Sequence, residues 1–230
     1  MKRKKRNIIL ISILISISFL IYYKLKDNKI TYLALGDEFV LGKTPFNKYS
    51  YSYCDYFARY LNNSKKLKNY DKSFSKNNYR VIDLINDIKN NNKNNKNEYL
   101  NQKILKADII TISIGNNDLM YKINNKKINK KTFDYIDNVF LDISYSIRLI
   151  RNITEKPIIF IGYHYNNINE KIRDYIYASY KTLENYKNVY YVNINDIDNR
   201  YFINNYPTLE GYNNIYNKIL YLLNEKKIDL

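Results

Sequence analysis

Tryptophan is absent from this chain, and cysteine and histidine occur once each, as Cys54 and His164. A single cysteine excludes an internal disulfide and a metal cluster built on thiols, and a single histidine excludes any site that needs two imidazoles. No metal or cofactor is expected. Glycine and proline are scarce (5 and 3 residues), whereas Lys, Asn, Ile and Tyr dominate. That balance reads as a background compositional bias, so a single Lys or Asn carries little functional information. Acidic residues are in deficit, 22 against 38 basic ones, for a formal charge of +16. No Arg cluster, aromatic-basic motif or Cys/His finger accompanies the charge, so no nucleic-acid partner is expected. The charge suits anionic lipid or wall polymer at least as well, and a solvated, Lys-biased surface is the plainest account of it. At 230 residues, 45% of them hydrophobic, the chain has room for one domain with a proper core and a short appendage.

The first six residues are almost entirely basic, and Ile8 to Tyr23 (IILISILISISFLIYY) then runs without a charge. The run is a little short of the ~20 residues that span a bilayer comfortably, but Tyr22 and Tyr23 suit the interface and Lys24 can snorkel. A cleavable signal peptide would want small residues after the apolar core, and SFLIYYKLKD has none in that pattern. The expected organisation is a basic cytoplasmic tail (1–6), a transmembrane signal anchor (7–24), a linker (25–29) and one domain (30–230). Basic residues ahead of the span predict a single-pass cell-membrane protein with its N-terminus inside and its domain outside.

Beyond the linker, apolar runs and helical patterns alternate. Ile30 to Leu35, Ala107 to Ile114, Pro157 to Tyr163 and Val189 to Ile194 read as buried strands. Tyr51 to Leu61, Val81 to Ile88, Phe133 to Ile153 and a segment from Pro207 to about Leu223 read as helices, with Asn90 to Asn97 a solvated loop. Val/Ile-rich strands separated by helices predict an α/β fold, a mainly parallel sheet covered on both faces. Sites in such sheets form at the carboxyl ends of the strands.

The unusual residues fall there. The first strand ends LALGDEFVLGK (Leu33 to Lys43), the Ala107 strand ends in SIGNNDL (Ser113 to Leu119), and YPTLEGY (Tyr206 to Tyr212) lies near the C-terminus. In this order, over roughly residues 30 to 225, the three segments resemble the SGNH/GDSL hydrolase family of esterases and lipases. The resemblance implies a three-layer, flavodoxin-like sandwich and a serine nucleophile after the first strand. It further implies a histidine base oriented by an aspartate three residues earlier, and an oxyanion hole of backbone N–H groups and an Asn side chain. Position by position, Gly36 and Asp37 match, but Glu38 stands at the nucleophile, Ile203 at the aspartate and Tyr206 at the histidine. Asn117, within Gly115-Asn116-Asn117-Asp118, matches the oxyanion Asn, and Asn77 falls where the backbone donor glycine would be.

A carboxylate is a far poorer acyl nucleophile than an activated alkoxide, and a tyrosine hydroxyl with a reference pKa of ~10 is no general base near neutrality. A substituted, divergent member that binds or scaffolds without hydrolysing is therefore expected, its ligands being acylated lipid or wall polymer. Glu38, at a helix N-terminus beside Asn117, has the charge to occupy the oxyanion pocket itself. Asp118 is expected to cap the turn that follows it. The rival reading is an acyl-ester hydrolase with rearranged groups, in which His164, at the functional edge of the sheet, serves Ser50 or Ser52. Cys54, on an amphipathic helix with no basic neighbour in its turn, reads as a buried, inert thiol.

Overall fold

The computed structural model describes residues 29–123, 129–165 and 168–228. The expected tail, membrane anchor and all but the last linker residue lie outside the described residues. Among those described, no helix is long and apolar enough to cross a membrane.

Five strands form one parallel sheet: β1 (Ile30–Gly36), β2 (Leu67–Asp71), β3 (Ile109–Ser113), β4 (Ile158–Ile161) and β5 (Val189–Val192), in the order β2-β1-β3-β4-β5. All of β3 and β4 is buried, which is why both read as unbroken apolar runs. Strand β2 was not legible in the sequence: LKNYD is a half-exposed edge strand that pairs only with β1.

The helices are α1 (Glu38–Leu41), α2 (Tyr53–Asn63), α3 (Val81–Lys89), α4 (Leu100–Lys106), α5 (Asn116–Ile123), α6 (Lys130–Arg151), α7 (Glu170–Lys181) and α8 (Leu209–Glu225). Helix α2 packs on α8 to make one outer layer, while α3, α6 and α7 pack in succession to make the other. Right-handed crossovers dictate this split, because the strand order reverses between β1 and β3. In sheets of this kind ligands bind where such a reversal falls, here at the carboxyl ends of β1 and β3.

Asparagine does here what glycine does elsewhere. Among the described residues, nine that are not glycine have positive φ, and seven of them are Asn: Asn47, Asn78, Asn91, Asn97, Asn188, Asn204 and Asn205. Its short side chain tolerates the left-handed region, so turns form in a chain with almost no glycine.

Candidate functional site

The site begins where β1 ends. Gly36 has φ +146°, and a Cβ there would stand 1.9 Å from the Ser113 carbonyl oxygen, so only glycine lets the ends of β1 and β3 come this close. The approach is sealed by the Asp37 N–H, which donates to the Ser113 carbonyl at 3.0 Å. Asp37 then caps α1, its Oδ1 accepting from the Phe39 N–H at 3.0 Å, while its Oδ2 lies 2.5 Å from the Tyr163 hydroxyl. Burial pushes the Asp37 carboxyl up to about 8, against the opposing pull of the Tyr163 hydrogen bond and helped by the neighbouring Glu38 charge.

Glu38 opens α1, and only 3% of it is exposed. Its Oε1 accepts from the Asn78 backbone N–H at 2.8 Å and its Oε2 from Asn117 Nδ2 at 2.9 Å. The same Asn117 amide donates to the Tyr79 carbonyl at 3.1 Å. One backbone N–H and one Asn amide thus converge on a single carboxylate. The backbone donor is Asn78, not the expected Asn77. Asn78 takes the left-handed conformation (φ 53°), whereas the Asn77 side chain turns outward to accept from the Tyr49 hydroxyl at 2.5 Å.

Two further members of the motif serve architecture. Gly115 (φ 110°) turns the chain from β3 into α5. Asp118 does not cap the turn after it. It reaches across to α3, accepting from the Val81 N–H and from Arg80 Nε, each at 3.0 Å, with its pKa raised by burial despite both contacts.

The far half of the site is built differently. Strands β6 (Phe202–Ile203) and β7 (Tyr206–Pro207) form a short antiparallel hairpin in which Ile203 pairs with Tyr206. Its two turn residues, Asn204 and Asn205, both have positive φ (50° and 64°), the requirement of a type I′ turn. Ile203 is 42% exposed and offers nothing polar to Tyr206. The Tyr206 hydroxyl instead accepts from Lys43 Nζ at 3.3 Å, and that ammonium lies 4.7 Å from the centre of the same ring. Burial draws Lys43 down, but Tyr206 and the Glu38 charge outweigh it and leave its pKa above the ordinary lysine value. Lys43 stands in the first motif segment, yet neither periodicity nor spacing marks it as a partner of Tyr206. Tyr163 was equally hidden; its signal was its place just beyond β4, at the functional edge.

His164 is not a free base in the cleft. It is buried, stacked on Phe202 at 4.1 Å between ring centres, with Nε2 3.1 Å from the Ile197 carbonyl. A carbonyl only accepts, so the proton sits on Nε2, and burial lowers the pKa of the ring. Ser52 is committed as the N-cap of α2, in a reciprocal box with Asp55, and its Oγ also meets Cys54 Sγ at 2.8 Å. Ser50 lines surface grooves beside Tyr49, and His164 Nδ1 has no hydrogen-bond partner among the described residues. The Cys54 thiol is fully buried, and that burial, with the nearby Asp55 charge, pushes it up to about 11.

No protein-family model matches the chain, and no curated protein matches it. Solved structures do. The lipase Lip_vut3 from a goat rumen metagenome superposes with a TM-score of 0.67 at 16% identity, over 84% of this chain and 97% of that one. Axe2, an acetylxylan esterase from Geobacillus stearothermophilus, gives 0.62 at 16% identity, over 86% and 95%. A family 3 carbohydrate esterase from Clostridium thermocellum gives 0.58 at 18% identity, over 86% and 96%. Catalytic mutants of Axe2 replace a serine, an aspartate and a histidine by alanine. At these identities the likeness speaks for the fold alone. The chain has an SGNH-hydrolase-like fold.

Proposed function

We propose that this protein is an SGNH-like binding or scaffolding domain that does not hydrolyse esters, is held at the membrane by its N-terminal segment and takes acylated envelope components as ligands. One observation carries the reading: the Glu38 carboxylate takes both the Asn78 N–H and the Asn117 amide. A substrate carbonyl entering the crevice finds the two donors engaged by a charged acceptor, and charge-assisted hydrogen bonds are about twice as strong as neutral ones. In serine proteases, loss of the triad leaves ~10³–10⁴ over water from the oxyanion hole and binding alone. Here that residue disappears as well, because the hole is filled from within. The apolar run at 8–23 and the basic residues before it support the tether and the outward placement of the domain.

The full chain, assayed on short-chain aryl esters, is expected to show no turnover above buffer. Turnover that an active-site acylating reagent abolishes would overturn the reading. In the triple variant Glu38→Ser, Ile203→Asp, Tyr206→His, the plug is removed and the triad types are restored, and measurable hydrolysis is expected.

A further inference from the structure

Beside the filled site lies a groove of about 670 Å³, walled on one side by the loop 44–50 and on the other by 200–210. Its walls are stiff. The loop is closed by the Lys43–Tyr49 bridge, the Thr44 N–H and hydroxyl both donate to the Lys48 carbonyl, and the Ser50 N–H donates to the Gly42 carbonyl. Tyr212 pins the base of the loop through its hydroxyl on the Lys43 carbonyl at 2.7 Å. On the opposite wall, Gly211 lets the start of α8 pack against Tyr201, since a Cβ there would meet the Tyr201 carbonyl oxygen at 2.6 Å. The Thr208 N–H also donates to that carbonyl, at 2.8 Å.

These stiff walls hold apolar groups out in water. Phe46 is 72% exposed, Tyr49 50% and Leu209 48%, and Pro45 lies among them. A phenylalanine fixed at the tip of a hydrogen-bonded loop loses the benefit of burial for as long as nothing covers it, and clustered exposure of this kind marks a binding surface. The charged residues that line the groove are Lys48, Arg200 and Glu210, two cations and one acid. Arg200 also pairs with Asp198 at 3.3 Å. Lys48 and Arg200 against the single Glu210 give the groove a balance that favours an anionic amphiphile over a cationic one.

We propose that this groove holds the hydrocarbon chain of an acylated anionic molecule, with the anionic group toward Lys48 and Arg200. The proposal rests on the binding-domain reading above and sharpens it: with the carbonyl-binding donors engaged by Glu38, recognition falls on the chain rather than on the ester. Its test uses dodecanoate, which has no ester bond, so the outcome is independent of whether the protein hydrolyses esters. The full chain in mixed micelles is labelled with a photoactivatable dodecanoate, and the modified peptides are mapped by mass spectrometry. Labelling is expected to concentrate at 44–50 and 200–210 and to saturate. Unlabelled fatty carboxylates should compete roughly tenfold better for each two methylenes added, the increment expected of chain burial. Phe46→Ser and Leu209→Ser should each cut the labelling at least threefold, while Leu141→Ser and Tyr221→Ser, on exposed apolar side chains outside the groove, should not. Labelling spread evenly over the surface, competition indifferent to chain length, or equal losses in the control variants would each overturn the proposal. So would displacement by a soluble xylo-oligosaccharide but not by dodecanoate, which would assign the groove to a glycan.

Discussion

The two halves of the crevice have been treated differently. At the floor, where β1 and β3 end, both carboxylate oxygens of Glu38 and the Asn117 Nδ2 group are matched within the protein, and the backbone is held by a glycine that nothing larger can replace. At the hairpin opposite, Ile203 is exposed to water and the Tyr206 hydroxyl meets Lys43. The hairpin's buried members are Phe202, stacked on His164, and Pro207, whereas Ile203 stays exposed. The floor demands partners for the Asn78 N–H and the Asn117 amide, and the Glu38 carboxylate meets that demand. Ile203, exposed at the hairpin, carries no comparable obligation.

This contrast is most open to attack through stability. Gly36→Ala should be the most damaging change, costing ~4 kcal/mol or more, because the new methyl group overlaps backbone that cannot retreat. Chemical denaturation would measure it, and a loss below ~1 kcal/mol would show the floor to be looser than described. Asn117→Asp comes next, at ~3 kcal/mol near neutral pH, since it sets a second carboxylate against Glu38 and removes a donor.

A third test is the pH dependence contributed by Asp37. Its folded-state pKa of about 8 lies above the ordinary carboxyl value, so the folded protein holds a proton that the unfolded chain releases. The associated stability is complete below pH ~4 and is lost as pH rises to 8, with a slope of up to ~1.4 kcal/mol per pH unit. Asp37→Asn keeps the Phe39 and Tyr163 contacts without the titration and should flatten melting temperature across that window. An unchanged slope would place the buried proton elsewhere. The smallest effect is expected at the hairpin, where Ile203→Asp should move stability by no more than ~0.5 kcal/mol, a typical surface value. A loss of several kcal/mol there would erase the distinction between the two halves.

Much of this was readable before any coordinates. The buried strands announced themselves as Val/Ile runs, α6 and α8 as amphipathic repeats, and the order of the three motif segments pointed to the fold. Helix α7 escaped notice because Ile172, Ile176 and Tyr180 are its only buried positions in a strongly polar stretch. The donor was misplaced by one residue, from Asn78 to Asn77, because two adjacent asparagines are equal candidates until the backbone shows which one is left-handed. The rescue by His164 and a serine rested on neighbourhood along the sheet edge, and side-chain packing separates them: the ring turns to Phe202 and Ile197, while Ser52 turns to its own helix.

Residue identities alone placed Glu38, Ile203 and Tyr206 in segments whose resemblance to a hydrolase motif implies a serine, an aspartate and a histidine. Only the tertiary structure decided what that carboxylate does. A hydrogen bond to the backbone N–H of Asn78 and another to the amide of Asn117 depend on segments 40 and 79 residues away in the chain. Their convergence within 3 Å is a property of strand order and of a single glycine, which no local pattern encodes.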